Sequence, residues 1–370
     1  FTDMASEMLY PIMPVYLKSI GFSIVFIGLL EGFAEATAGL SKGYFGQRSD
    51  MLGRRLPFVQ LGYALSAISK PMMAAFVYPL WVFFARSTDR LGKGIRTGAR
   101  DALLSDEATP ETKGQVFGFH RAMDTTGAVI GPLLALCYLQ WYPGAYRMLF
   151  LIAFLPGVLA ILLTLFIQEK RKVPPEGIAK PGFWDFLRYW KRSPPEYRRL
   201  AGALLVFTLF NSSDVFLLLK IKEAGMSDSV VIGVYIFYNI IYALAAWPMG
   251  ILADRLGMKR VFVSGLLLFA SAYAGMAYAT TLPAFLGLFL LYGLYAAATE
   301  GVAKAWMTNI SGKKDTATAI GTFTAFQSLG ALGASSLAGI LWYSLGAGFT
   351  FTVSAGIAII VAIYLFRHFR

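Results

Sequence analysis

The sequence is poor in the residues on which soluble enzymes rely. Among 370 residues there is one cysteine and there are two histidines. A lone Cys137 excludes an internal disulfide and any metal cage built from thiolates, and its apolar surroundings predict a buried, inert side chain. Any metal site would have to be assembled mostly from carboxylate and carbonyl oxygen, so no metal and no cofactor is expected. Charge is scarce as well. Asp, Glu, Lys and Arg make up 15% of the chain, against about 25% in a soluble domain. That is too little to coat a water-facing surface. No Gly-x-x-x-x-Gly-Lys-Ser/Thr run occurs, and Gly92-Lys93-Gly94 lies inside an apolar segment, so nothing predicts a nucleotide-driven or otherwise enzymatic protein. No secretory leader is visible, and the chain opens within an apolar helix at Phe1, so a short preceding segment is expected.

What is abundant is apolar. Hydrophobic residues are 57% of the chain, with 30 Phe, 19 Tyr and 7 Trp, a composition suited to lipid-facing walls and interfacial belts. The net charge of +12 resides mostly in loops. That distribution sets membrane topology and calls for lipid headgroups rather than nucleic acid as its partner.

A bilayer core about 30 Å thick needs about 20 residues per helix. Apolar stretches meeting that length run approximately over 1–18, 24–45, 56–77, 79–104, 114–138, 147–168, 199–220, 229–252, 259–279, 284–310, 316–341 and 347–367. The expectation is an all-α polytopic membrane protein with about twelve spans. Basic residues cluster after even-numbered spans (Arg48, Arg54 and Arg55; Lys113; Lys170 to Arg199; Arg255, Lys259 and Arg260; Lys313 and Lys314), which places both termini on the cytoplasmic side, expected to be that of a bacterial plasma membrane. The hydrophilic stretch between spans 6 and 7 divides the chain into a bundle over 1–168, a linker over 169–198 and a bundle over 199–370. Within the linker, Phe183 to Arg192 reads as a short amphipathic helix lying on the inner leaflet, aromatics inward.

Two blocks occupy the same place in each half. Gly46-Gln47-Arg48-Ser49-Asp50-Met51-Leu52-Gly53-Arg54-Arg55 follows span 2, and Gly250-Ile251-Leu252-Ala253-Asp254-Arg255-Leu256-Gly257-Met258-Lys259-Arg260 follows span 8. A parallel repeat of this kind is how many transporter folds are built. Both blocks resemble the loop signature of the major facilitator superfamily of secondary transporters. The resemblance implies twelve helices in two pseudo-symmetric six-helix bundles, a monomer that moves a small molecule by alternating access, and a cytoplasmic gate made by this loop. Carried over, Asp50 is expected near the start of span 11, Asp254 near the start of span 5, and Arg54 or Arg55 beside Asp106. Met51 stands where the family usually has a base. In span 5, Gly118, Gly127, Gly131 and Pro132 resemble the antiporter motif of proton-driven exporters, although Ala135-Leu136 replaces its final glycine pair. The same spacing also serves as an ordinary close-packing face.

Charges inside the spans carry the remaining signal. Asp3 and Glu7 lie one turn apart on span 1, and Glu31 and Glu35 repeat the spacing on span 2; Lys70 is in span 3, and His120, Arg121 and Asp124 are in span 5. On span 4, Arg86, Asp89, Arg90, Lys93, Arg96, Arg100 and Asp101 fall within an arc of about 140°. Ionised groups on a lipid face cost several kcal/mol, so this stripe must face partners or a cavity. It reads either as fixed ion pairs holding the bundle or as a proton relay (Asp3, Glu7, Glu31, Glu35, Asp89, Asp124) beside a substrate wall that includes Arg86, Arg90, His120 and Arg121. Glu7 and Glu35, then Asp124, are the leading relay candidates. The second half supplies Asn211, Ser212, Ser213, Asp214, Tyr235, Tyr238, Asn239, Tyr242, Glu300, Lys304 and Gln327, either as interhelical glue or as a polar-aromatic wall for cargo. The expected function is proton-coupled export of a small amphipathic organic compound. An importer or facilitator of organic anions is the alternative, with divalent-metal or lipid export behind it and an intramembrane enzyme least supported.

Overall fold

A computed structural model describes residues 1–10, 12–169 and 182–369. Among the described residues there is helix and no strand. The elements are α1 (Thr2–Glu7), α2 (Met13–Ser19), α3 (Ile24–Leu52), α4 (Leu56–Ala75), α5 (Pro79–Asp106), α6 (Lys113–Trp141) and α7 (Tyr146–Thr164). After a 3-10 turn (Asp185–Arg188) come α8 (Tyr189–Arg192), α9 (Pro195–Phe210), α10 (Asp214–Glu223), α11 (Asp228–Leu256), α12 (Met258–Met276), α13 (Leu282–Ile310) and α14 (Thr316–His368). Six described segments are long and apolar enough by themselves to cross a membrane; charge-laden α5 is not one of them. α14 joins two spans, because Gly346 adopts φ 85° and breaks the helix there, a conformation that an L side chain resists.

Two expected spans are discontinuous. The first is split into α1 and α2, and the seventh into α9 and α10 with Asn211, Ser212 and Ser213 between them. The Ser213 hydroxyl accepts from the Val215 N–H at 3.4 Å and caps α10, which is why a polar run inside an apolar segment starts a new helix rather than riding on the old one. Elsewhere the caps come from a distance. The Glu169 carboxylate accepts from Arg55 and Leu56 N–H at 2.6 and 2.9 Å, closing the N-terminus of α4.

The chain forms two compact units. The first comprises 1–104, 126–193 and 312–328; the second comprises 105–125, 194–311 and 329–370. In this division the beginning of α6 belongs with the second unit and the beginning of α14 with the first. The first unit has an apolar core around Tyr16, Leu17, Met73, Val82 and Phe150, in which Tyr16 meets Phe150 edge-on at 4.9 Å. The second has an aromatic core in which Phe269 and Tyr273 stack at 4.0 Å.

The linker and the cysteine need correcting. Residues 170–181, and the linker signals that fall there, lie outside the described residues. The rest does not simply lay its aromatics toward a lipid surface. Phe186 is fully buried and Tyr189 nearly so. The Phe186 carbonyl accepts from the Thr322 hydroxyl at 3.2 Å, Trp190 meets Phe326 at 5.8 Å, and the Phe186 ring occupies the space that a Cβ on Gly43 would need. Phe183 and Trp184 do remain exposed. Cys137 is exposed as well. An apolar stretch in a membrane protein has no obligation to face the core, because lipid satisfies it equally well.

Candidate functional site

The first unit gathers most of the intramembrane charge into one cluster on α1, α3, α4 and α5. Asp89 is its hub. Lys70 Nζ lies 2.7 Å from Asp89 Oδ1, the Ser69 hydroxyl donates to the same oxygen at 3.3 Å, and Arg86 Nη1 lies 3.5 Å from Oδ2. Arg90 Nη1 reaches Glu35 Oε1 at 2.9 Å, and Arg96 Nη2 reaches Asp3 Oδ1 at 3.3 Å. Arg96 also donates to the Ser66 hydroxyl at 3.4 Å and lies over the Tyr63 ring. Lys93 is within electrostatic range of Glu35, Asp3 and Glu7. These groups surround a small polar pocket whose lining includes Asp3, Glu7, Asp89, Arg90, Lys93 and Arg96. A second pocket shares Ser6 and Asp89 with it and continues along Leu9, Met13, Met73 and Phe150. The Glu31 side chain lies outside the described residues.

The charge stripe of α5 thus has its partners on α1, α3 and α4. Helical periodicity locates the face but not the pairing. Lys70, Lys93 and Arg96 join the cluster beside the expected relay and wall residues; for Lys70 the available signal was a lone lysine in an otherwise apolar span.

The second unit has a different character. Asp214, at the start of α10, accepts from the Tyr292 hydroxyl at 2.6 Å. Tyr292 stacks on Tyr238 at 5.0 Å and on Tyr295 at 5.4 Å, and Asn211 Nδ2 donates to the Tyr295 hydroxyl at 3.2 Å. Arg121 Nη2 pairs with Glu300 Oε2 at 2.6 Å; the same guanidinium contacts the Tyr242 hydroxyl and lies 5.1 Å from that ring's centre. His120 and Asp124 are 3.4 Å apart. Asn239 returns its amide to the Tyr235 carbonyl one turn back at 2.9 Å, an intrahelical bond. Gln327, in the α14 segment of the first unit, is exposed. Tyr292 and Tyr295 were not singled out by the sequence, where they read as core aromatics of α13.

Both copies of the repeated loop motif place their aspartate at a helix N-terminus. Asp50 accepts from the Thr318 N–H and hydroxyl at 2.7 and 2.9 Å, at the start of α14, and pairs with Arg55 at 3.0 Å. Arg55 also donates to the Ala102 carbonyl at 2.8 Å, while Asp106 ends α5. Asp254 accepts from the Gly114 and Gln115 N–H groups at 2.8 and 2.7 Å, at the start of α6. Each carboxylate therefore caps a helix N-terminus, where free N–H groups and the helix dipole favour an anion. The motif glycines are explained too. Gly53 and Gly257 adopt φ 61° and 97°. A Cβ on Gly46 would stand 2.5 Å from the Ala317 carbonyl, and one on Gly250 would collide with the Gly114 carbonyl. Arg54, Arg255 and Arg260 are exposed. Asp50 lies beyond the second span; burial pushes its carboxyl up to about 6 against the opposing pull of Arg55 and the Thr318 bonds.

The glycines of α6 serve two different contacts. Gly118 packs on Ala246 and Gly250 of α11 in the second unit, whereas Gly127 and Gly131 pack on the α1 backbone in the first. A Cβ on Gly131 would lie 2.5 Å from the Met4 carbonyl and 2.8 Å from the Met8 nitrogen. Pro132 lies within α6 without ending it.

An all-helical, repeat-built membrane protein with paired charges buried in its helices defines a secondary transporter class. The family model for the Major Facilitator Superfamily matches residues 1–240 and 200–370, and the chain belongs to that family. It is 34% identical over 369 residues, 98% of this chain and 91% of the relative, to an uncharacterised MFS-type transporter of Methanocaldococcus jannaschii. The quinolone resistance protein NorA of Staphylococcus aureus is 24% identical over 174 residues, covering 47% of this chain and 44% of that protein. The human organic anion transporter MFSD10 superposes with a TM-score of 0.82 at 18% identity, over 98% of this chain and 96% of that one, a likeness of fold. The protein is thus an integral membrane secondary transporter with twelve transmembrane helices in two halves.

Proposed function

We propose that the protein is a proton-coupled exporter of a small amphipathic organic compound, working by alternating access as a monomer with both termini in the cytoplasm. The observation that carries this reading is the pocket of the first unit, where Asp3 and Glu7 line a cleft beside Arg90, Lys93 and Arg96. A carboxylate held among cations can exchange a proton against movement of a neighbouring charge. The α6 glycines tie the same helix to that function, because Gly127 and Gly131 seat α6 on the backbone that carries Asp3 and Glu7. Export draws support from the resemblance to a drug-resistance protein over about half the chain. Asp89 is assigned a structural role, since its two oxygens are already engaged by Lys70, Ser69 and Arg86.

The test is transport in oriented membrane vesicles under an imposed pH gradient. Substrate should accumulate in inside-out vesicles acidified inside, and Glu7→Gln should abolish the gradient dependence while leaving downhill exchange. Unchanged gradient-driven accumulation in both Asp3→Asn and Glu7→Gln would remove the relay assignment. The second reading, uptake of organic anions, is favoured by the basic face of α5 and by the fold likeness to an organic anion transporter. Accumulation in right-side-out vesicles would select it.

A further inference from the structure

We infer that the polar pocket of the first unit is an anion subsite that receives the carboxylate or sulfonate head group of an organic cargo, held by Arg90, Lys93 and Arg96. The inference rests on the proposal that the protein carries an organic cargo, and it adds the chemical class of that cargo and the place of its head group. Among the described residues of the cluster, five cations (Lys70, Arg86, Arg90, Lys93 and Arg96) face four acids (Asp3, Glu7, Glu35 and Asp89). The acids are largely committed. Both Asp89 oxygens, one oxygen of Glu35 and one of Asp3 already accept from Lys70, Arg86, Arg90 or Arg96.

Donors remain in excess. The Arg96 Nε is buried and has no hydrogen-bond partner among the described residues; the Arg90 Nε has none either and lies 4.0 Å from Asp89 Oδ2, and both arginines line the pocket. A buried N–H edge that lacks an acceptor costs free energy that an incoming acceptor recovers. Among the described residues an incoming anion would offset the excess of cations over acids, whereas an incoming cation would add to it. The planar fork of an arginine suits a carboxylate or sulfonate in particular.

Size and surroundings narrow the class further. The pocket has about 20 Å³ of free space, room for about one water, so it receives an oxygen of a head group rather than a whole drug-sized molecule, which ordinarily fills several hundred Å³. The adjoining pocket is lined by Leu9, Met13, Met73 and Phe150 together with Ser69, Lys70, Arg86 and Asp89, so an apolar ring or short chain attached to the head group would meet both apolar and charged side chains. The ligand is therefore an organic anion with a compact charged end.

The experiment is equilibrium binding to the purified full-length chain in detergent, with no gradient, read by thermal stabilisation and tryptophan fluorescence. The probes share one ring: benzoate and benzenesulfonate, against benzylammonium and benzyl alcohol, with inorganic sulfate and phosphate alongside. Benzoate and benzenesulfonate should bind at least tenfold more tightly than benzylammonium or benzyl alcohol. Lys93→Gln should weaken them about tenfold, the loss expected when one charge-assisted contact is removed. Arg90→Lys keeps the charge and loses the fork, and should weaken them by a smaller factor. Equal binding of benzylammonium or benzyl alcohol would overturn the inference, as would binding of the inorganic anions alone. Unchanged benzoate affinity in a folded Lys93→Gln protein would overturn it too. Anion binding that persists while pH-driven transport is absent would sink only the coupling proposal. Gradient-driven transport without any preference for anions would sink only this one.

Discussion

If Asp89 is an anchor rather than a proton carrier, its removal should be repaired by removing Lys70 as well. The Lys70 side chain is 3% exposed and its ammonium sits 2.7 Å from Asp89 Oδ1. Asp89→Asn removes the counter-charge and leaves the ammonium only neutral acceptors, the new amide oxygen and the Ser6 hydroxyl at 3.4 Å. Breaking a buried pair from one side typically costs about 3–5 kcal/mol, because a charge is stranded, whereas removing both charges is close to neutral. Lys70→Met is the milder single change, because Asp89 keeps Arg86 at 3.5 Å and Ser69 at 3.3 Å; about half the cost is expected. At roughly 2–4 °C per kcal/mol for a large domain, Asp89→Asn should lower the thermal midpoint in detergent by about 10 °C. Lys70→Met should lower it by about 5 °C. The double variant should recover most of the loss, leaving a coupling energy of at least about 2 kcal/mol between the two sites.

The assay is a double-mutant cycle on purified protein, followed by vesicle transport for the double variant. Additive losses, with coupling below about 0.5 kcal/mol, would refute the structural role of the pair. So would a double variant that is stable yet has lost its response to the pH gradient, since Asp89 would then belong to the relay.

Three further outcomes follow from the same geometry. Gly46→Leu puts a side chain where the Ala317 carbonyl already stands at 2.5 Å from a Cβ, and it should cut transport at least about tenfold while the protein still reaches the membrane; normal rates would show that the close approach is dispensable. Burial raises the Asp50 carboxyl from 3.8 to about 6, so the folded state binds this proton more readily than the unfolded one; its contribution to stability is therefore largest below 3.8, falls as pH rises toward about 6 and is flat above. Thermal midpoints across that window should show the slope in the natural protein and lose it in Asp50→Asn. Exposed Cys137, within a span, should react with an apolar maleimide far faster than with a charged, membrane-impermeant one; equal reactivity would place it in water.

The sequence disclosed the parts that repeat or alternate. Apolar runs of span length and two copies of one loop motif were enough for twelve helices in two halves, and the glycines at 53 and 257 mark one positive-φ turn in each copy of the motif. Partner choice was not legible, because a 3.6-residue period fixes a face without saying which acid on α1 or α3 meets which base on α5, or that Lys70 on α4 meets Asp89. Nor were the breaks. Asn211, Ser212 and Ser213 read as polar residues riding within a span, whereas α9 closes at Asn211 and Ser213 caps the start of α10. The linker failed for a related reason. An aromatic can face lipid or a protein groove with equal hydrophobic gain, and only the empty space over Gly43 decides that Phe186 goes inward.

The two motif copies look alike in sequence yet differ in what each carboxylate holds, and that difference has a measurable consequence. Asp50 is almost fully buried, and Arg55, its partner, is buried with it at 4% side-chain exposure. Removing Asp50 takes away the Thr318 bonds and the counter-charge that Arg55 has in it; about 3 kcal/mol or more is the expected loss. Asp254 is only partly buried, and the bonds it accepts come from two backbone N–H groups at the start of α6. Those N–H groups are nearer to water, so losing the cap should cost about 1–2 kcal/mol. Asp50→Ala should therefore depress the thermal midpoint about twice as far as Asp254→Ala. Adding Arg55→Met to Asp50→Ala should return part of that loss, since the stranded charge goes with it. Equal losses at the two sites, or no recovery in the Asp50→Ala/Arg55→Met protein, would mean that the copies act only as helix caps and that the buried base contributes nothing.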